Sequence, residues 1–310
     1  MKIVRAEHLG MCFGVRDAIR LAFRKATESP LTVLGELVHN ESVLESLRNG
    51  GIEVEQRIES VSTPTVMITA HGASDSTISR ARARGLNVLE ATCPLVHFAH
   101  RAVQQLVRDG FHPVIVGKRD HVEVRGIVED LEAYDIVLTD ADVSCLREQP
   151  RFGVAAQTTQ PIQKVRYLTS LIRQRFPDSE VRLMDTVCQP TKQRQSAAVE
   201  LARQCDAVVV IGGANSNNTR ELVATCASGC SRVFHVQSAG DLQPDWFAGL
   251  QVVGITAGTS TPDDLIDEVE NRLIEIAASR NESTDDAEPM AISERLHESI
   301  HASANQLVHR

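Results

Sequence analysis

Short runs of β-branched and aliphatic residues alternate along the chain with longer segments whose apolar residues recur every three or four positions, and this alternation restricts the fold more than any other feature. The runs are Thr65-Val66-Met67-Ile68-Thr69, Pro113-Val114-Ile115-Val116, Asp135-Ile136-Val137-Leu138-Thr139, Ala207-Val208-Val209-Val210-Ile211 and Gln251-Val252-Val253-Gly254-Ile255. Nearly continuous apolar strands of this length belong to sheets covered on both faces. Between them, Val96, Ala99, Val103 and Leu106, then Ile162, Val165, Leu168 and Ile172, then Leu265, Val269, Leu273 and Ile276 each form a helical stripe that packs on a sheet. The expected class is α/β with mainly parallel sheets, joined by right-handed crossovers, with ligands collecting at the carboxyl ends of the strands.

Three cysteines fall where a strand-like run gives way to a helix-like one: Gly10-Met11-Cys12-Phe13-Gly14, Ala91-Thr92-Cys93-Pro94 and Thr186-Val187-Cys188-Gln189-Pro190. Their spacing is far too wide for a finger or ribbon, whose ligands arrive in close pairs. It suits one cysteine per α/β unit, with boundaries near residues 96 and 192. A metal site with three protein ligands leaves one position open for substrate. Thiolates in glycine- or proline-flanked turns suit iron-sulfur ligation, because exposed backbone amides can hydrogen-bond the sulfurs. Cys145, Cys205, Cys226 and Cys230 lack this context and are read as structural thiols.

With 310 residues there is room for two or three compact units. A net charge of -9 argues against a general nucleic-acid surface, so any phosphate-bearing ligand must be caught in a local pocket. Met1 to Glu7 enter a strand pattern without an apolar signal region, and no long uncharged apolar run follows. A cytoplasmic protein with no membrane segment is expected, in which seven cysteines are thiols or ligands rather than disulfides.

A second constellation follows the apolar runs: Leu37-Val38-His39-Asn40, Thr69-Ala70-His71-Gly72, Asp120-His121-Val122-Glu123, Ala156-Gln157-Thr158-Thr159, Gly212-Gly213-Ala214-Asn215-Ser216-Asn217-Asn218 and Ala257-Gly258-Thr259-Ser260. Helix N-termini attract phosphate, and Ser, Asn and His donors complete such a site. Taken singly, Ser216, Asn218 and Thr158 read better as helix caps; placed together with His39, His71 and His121, they point to one convergent pocket. His97, His100, His112, His235, His297, His301 and His309 have no such context and are read as surface or core residues. Glu123 follows His121 by two residues. In a partly dry pocket its carboxyl holds a proton near neutral pH; at an exposed helix start it is idle.

These motifs, in this order, resemble the hydroxymethylbutenyl diphosphate reductase family, known as IspH or LytB, from residue 2 to about residue 280. The similarity also takes in Leu95 and Val96 after Cys93-Pro94, Thr191, Arg194 and Gln195 after Cys188, and Thr256 to Pro262. The resemblance implies a trefoil of three similar α/β units around a central iron-sulfur cluster. It assigns one four-iron four-sulfur cluster per chain to Cys12, Cys93 and Cys188, with an open apical iron for the substrate hydroxyl. It assigns His39, His71, Ser216, Asn218 and Ser260 to the diphosphate, and Glu123, His121 and Thr158 to the hydroxyl end. The implied reaction is the two-electron reductive dehydroxylation of (E)-4-hydroxy-3-methylbut-2-enyl diphosphate to isopentenyl and dimethylallyl diphosphates, the last step of the non-mevalonate isoprenoid pathway, with ferredoxin or flavodoxin as electron donor.

Three departures stand out from the family pattern. Met11 replaces phenylalanine, Val122 replaces the proline of His-Pro-Glu, and Asn217 replaces a serine that contacts the diphosphate. Asn217 keeps donor capacity but is larger, so altered substrate affinity is expected. The division expected is an N-terminal strand and first cysteine at 1–13 packing with the third unit, units at 14–96, 97–192 and 193–281, and an acidic linker with a tail or helix at 282–310. Two other classes compete with the reductase: a catalytically inactive iron-sulfur sensing paralogue, and a zinc-dependent phosphate-ester hydrolase.

Overall fold

A computed structural model of the protein describes residues 1–38 and 40–285. His39 and the rest of the tail or helix expected at 282–310, from residue 286 on, lie outside the described residues. In chain order the elements are β1 (Lys2–Arg5), α1 (Phe13–Ala26), β2 (Leu31–Leu34), α2 (Glu41–Asn49), β3 (Glu53–Glu55), β4 (Thr65–Ile68), α3 (Asp75–Ala83), β5 (Asn87–Glu90) and α4 (Pro94–Arg108). The chain continues with β6 (His112–Val116), α5 (Val122–Val128), β7 (Asp135–Val137), α6 (Asp140–Ser144), β8 (Arg151–Ala156), α7 (Ile162–Arg175), β9 (Glu180–Leu183) and α8 (Gln189–Gln204). It closes with β10 (Ala207–Ile211), α9 (Asn217–Ala227), β11 (Val233–Val236), β12 (Val252–Ala257) and α10 (Asp263–Asp285).

The strands form three four-stranded sheets, ordered β3-β2-β4-β5, β7-β6-β8-β9 and β1-β12-β10-β11. Every strand pairing in them is parallel. The third sheet is read in the same sense as the others once β1 is taken as its last strand, so the first strand of the chain completes the final unit. This is a trefoil of α/β units.

Burial on two faces explains the apolar runs. In β10 every residue is buried, with Val209 and Ile211 in one core and Val208 and Val210 in the core on the opposite face. In β6, Val114 and Val116 face one layer and Ile115 the other. Each such fully buried aliphatic side chain stabilises the fold by roughly 1.5–3 kcal/mol.

Two elements depart from the sequence pattern. The run Asp135 to Thr139 stops being a strand at Val137, because the Leu138 and Thr139 N–H groups donate to Asp142 Oδ2 at 2.9 and 2.8 Å in a capping box that starts α6. The segment read as an acidic linker from residue 282 is helical as far as Asp285: α10 runs on because no Gly or Pro interrupts it there.

Candidate functional site

Each of the three sheets ends in an edge strand, β1, β5 or β9, that leads into a cysteine. Cys12, Cys93 and Cys188 are the N-cap residues of α1, α4 and α8, and none uses its side chain as a cap. Pro94 and Pro190 open two of these helices, where a missing N–H costs nothing. Each cysteine N–H donates to the loop beyond the neighbouring strand: Cys12 to Thr259 O at 3.1 Å, Cys93 to Ala70 O at 3.0 Å and Cys188 to Thr158 O at 3.0 Å. The same loops carry Ser260, His71 and Thr158. The sheet ladders therefore tie the sulfur-bearing turns to the polar turns, one pair per unit.

The thiols are free and only partly exposed. A Cβ added at Gly14 would lie 2.7 Å from Cys93 Sγ, so α1 needs a glycine there to let the second thiol approach. Burial raises the Cys93 thiol above its usual range and pushes Cys188 up to about 11, against the pull of Thr191, whose Oγ1 lies 3.1 Å from Cys188 Sγ. Thiols held protonated by burial and placed at helix N-termini are suited to a positively charged inorganic partner that displaces the protons. Arg194 adds a buried cation. Its guanidinium donates to Gly10 O at 3.0 and 2.7 Å and to Pro190 O at 3.0 Å, joining the Cys12 turn to α8. Burial lowers its pKa, whereas Cys12 and Cys188 act in the opposite sense. Among the described residues no three His, Cys, Asp or Glu side chains are gathered as one metal ion requires. The fit to a group is therefore carried by the chemistry of the three soft donors and by the glycine that lets Cys93 Sγ come close to α1.

The polar residues converge beside the thiols. One pocket is lined by His71, His121, Ser216, Asn217, Asn218 and Ser260, six of the candidates from the sequence. The His71 and His121 rings meet edge to face with centroids 5.4 Å apart. Asn218 Nδ2 and Ser260 Oγ are buried without a hydrogen-bond partner among the described residues, an arrangement that costs energy unless a ligand supplies acceptors. Ser216 is both a pocket residue and the N-cap of α9, its Oγ accepting from Thr219 N at 3.3 Å. Asn217 Nδ2 donates to Thr159 Oγ1 at 3.3 Å, linking the third unit to the second.

Thr158 is not a cap, since Pro161 precedes α7. Its N–H donates to Glu123 Oε1 at 2.6 Å and its hydroxyl to Oε2 at 3.0 Å. Glu123 is 1 % exposed, and burial lifts its pKa to about 7 although both Thr158 bonds favour the anion. His121 caps α5, its Nδ1 accepting the Glu123 N–H at 3.2 Å, which assigns that nitrogen as the unprotonated one. Of the sequence candidates, all but His39 fall in the described residues. The thiols, the pocket residues and the Glu123–Thr158 pair occupy one junction of the three units.

Sequence reasoning did not single out Thr159, Val15, Val38 and Thr259 in the pocket lining, nor Gly14. Thr159 and Gly14 lay inside motifs already noted, but only contacts give them roles. Of the remaining cysteines, Cys226 and Cys230 are buried in the third unit's core, Cys205 packs at its edge, and Cys145 is exposed at the end of α6.

Parallel α/β units, arranged three around a junction of thiols and anion-type donors, define a class of trefoil proteins with a central site. The chain belongs to the LytB protein family, whose model matches residues 3–274. It is 39% identical over 278 residues to the 4-hydroxy-3-methylbut-2-enyl diphosphate reductase of Trichlorobacter lovleyi, covering 89% of this chain and 99% of that one. To the reductase of the same name from Aquifex aeolicus it is 38% identical over 280 residues, covering 88% and 96%. A solved structure of (E)-4-hydroxy-3-methyl-but-2-enyl diphosphate reductase, the terminal enzyme of the non-mevalonate pathway, matches with TM-score 0.64 at 36% identity, covering 89% of this chain and 100% of that one. The Plasmodium falciparum E-1-hydroxy-2-methyl-but-2-enyl-4-diphosphate reductase matches with TM-score 0.82 at 25% identity, covering 87% of each chain.

Proposed function

We propose that this protein reduces (E)-4-hydroxy-3-methylbut-2-enyl diphosphate to isopentenyl and dimethylallyl diphosphates, the terminal step of the non-mevalonate pathway. The observation that carries the reading is the set of three ladders joining each cysteine turn to a polar turn, which holds thiols and phosphate-type donors in fixed register. The allylic C–O bond breaks and a C–H bond forms. One proton leaves with the oxygen as water, the second goes to carbon, and two electrons enter from a ferredoxin- or flavodoxin-type donor. A four-iron four-sulfur cluster held by Cys12, Cys93 and Cys188, with one iron open, would supply those electrons and a Lewis-acid contact for the hydroxyl.

The protein's own residues do the rest. His39, His71, Ser216, Asn217, Asn218 and Ser260 bind the diphosphate, spending binding energy far from the bond that breaks to orient the allyl group. Thr158 and His121 position the hydroxyl end. Glu123, kept neutral by burial, holds a proton for the departing oxygen. The Glu123–Thr158 pair supports turnover over a sensing role, which has no use for a buried acid. The proposal includes a cytoplasmic location; among the described residues no helix is long and apolar enough to cross a membrane.

Protein purified anaerobically is expected to contain iron and sulfide, and to convert the diphosphate with a reduced low-potential donor. A colourless zinc protein that hydrolyses phosphate esters would overturn the reading. Because Asn217 ties its amide to Thr159, Asn217→Ser is expected to shift the KM for the diphosphate several-fold, by about 1 kcal/mol of hydrogen bonding. Steady-state kinetics with an unchanged KM would remove Asn217 from the grip.

A further inference from the structure

The first two units touch where the start of α3 faces the far end of α5. Asp130 Oδ2 accepts the Asp75 N–H at 2.7 Å, and its Oδ1 accepts the Ser76 N–H at 3.1 Å. Beside it, the Glu129 carboxylate accepts the hydroxyls of Ser74 and Thr77, the second at 3.1 Å, and lies 3.8 Å from Arg80. The opening amides of α3 are thus satisfied largely by carboxylates of the other unit, where their negative charge meets the positive end of the helix dipole. Van der Waals contact accompanies the polar one. A Cβ at Gly126 of α5 would meet Ala73 Cα at 3.4 Å and His100 Cε1 at 3.5 Å, and one at Gly72 would meet Thr92, Val96 and His100 within 3.4 Å. His100, read from sequence as an ordinary core or surface residue, is a spacer in this joint.

The joint lies between two functional residues. His71 immediately precedes Gly72 and Ala73, which lead into α3, and His121 caps the other end of α5. The rings of these two histidines are 5.4 Å apart and line one pocket. We propose that Glu129 and Asp130 are positioning residues: by clasping α3 across the unit boundary they set where His71, on the diphosphate, stands relative to His121 at the hydroxyl end. This inference rests on the function proposed above. Glu123 does not depend on the clasp to the same degree, because Thr158 of its own unit fixes both carboxylate oxygens. The clasp therefore governs substrate affinity more than the rate of the bound complex.

The test is steady-state kinetics of the cluster-loaded protein carrying Asp130→Ala, Asp130→Asn or Glu129→Gln. In Asp130→Ala the KM for the diphosphate is expected to rise roughly tenfold with kcat within about twofold, since a small misplacement of binding groups is enough to do this. Iron content and visible absorption should stay at the parental level. Asp130→Asn retains an acceptor for one amide and should fall between the parent and Asp130→Ala. A parental KM in Asp130→Ala, whatever its melting temperature, overturns the proposal, as does a fall in kcat alone. If Asp130→Ala does not fold, Asp130→Asn decides in the same way. A parental protein without turnover counts against the function rather than the clasp; the clasp is then read from the Kd of inorganic pyrophosphate, where the same graded order supports it and equal values overturn it.

Discussion

Glu123→Gln is expected to lower turnover by at least about 100-fold while keeping the cluster and substrate binding, because general acids contribute rate factors of this size. Glutamine fits the same hole: its carbonyl accepts the Thr158 N–H and its amide meets the Thr158 hydroxyl, but it has no proton to give. Near-parental turnover would remove the assignment. The pH dependence has a defined sign. With its pKa raised to about 7, Glu123 is protonated below neutrality, so the rate carried by this acid should fall as pH rises through about 7, and the limb should vanish from the residual activity of Glu123→Gln. Stability follows the same proton. Between the unfolded value of 4.5 and about 7 the unfolded chain ionises while the folded one stays protonated, so folding stability declines with pH across that window by an amount on the order of 3 kcal/mol. The variant should accordingly gain stability relative to its parent as pH rises across that window, a result that calorimetry at about pH 4.5 and about pH 8 would check.

Cys12→Ser, Cys93→Ser and Cys188→Ser are each expected to lose the intact cluster and with it all reductase activity, whereas Cys226→Ser, altering a thiol buried in a helix–sheet core, should retain both. Iron and sulfide analysis of the four variants separates the outcomes, and equal loss in all four would refute the choice of ligands. Gly14→Ala is the sharper test, because it leaves every thiol in place. The added methyl would stand 2.7 Å from Cys93 Sγ and 3.1 Å from Cys93 Cβ, so the thiol itself would have to move. Most of the bound iron should be lost; full occupancy would mean that Cys93 does not reach the shared centre past α1.

Much of this was legible in the sequence, for identifiable reasons. The central strands β2, β4, β6, β8, β10 and β12 are buried along most of their length, and all but β2 and β8 stood out as apolar runs. The edge strands β5 and β9 escaped notice because they are half-buried and carry charge, as in Asn87-Val88-Leu89-Glu90 and Glu180-Val181-Arg182-Leu183. The sites after the strands could be read because glycine, proline and polar residues cluster there. What sequence could not supply was partnership. Nothing in Thr158 announces that both its donors go to a carboxylate on another helix, and nothing in Glu129-Asp130 marks them as caps for a helix more than fifty residues upstream. Such pairs are created by long-range packing, which local periodicity does not encode. The resemblance to a family gathered the site residues as a set; the structure lines one pocket with six of them and pairs Glu123 with Thr158.

The position of β1 carries a consequence for biogenesis. Among the described residues Lys2 to Arg5 pair with Val252 to Ile255 and with no other strand, so this segment has no sheet partner until residue 255 has left the ribosome. The sheets of β2 to β5 and β6 to β9 close earlier, from contiguous stretches of chain. Cys12 is thus synthesised first and seated last, and a maturation factor delivering iron and sulfide would find a complete acceptor only after translation has passed residue 259, whose carbonyl holds the Cys12 amide.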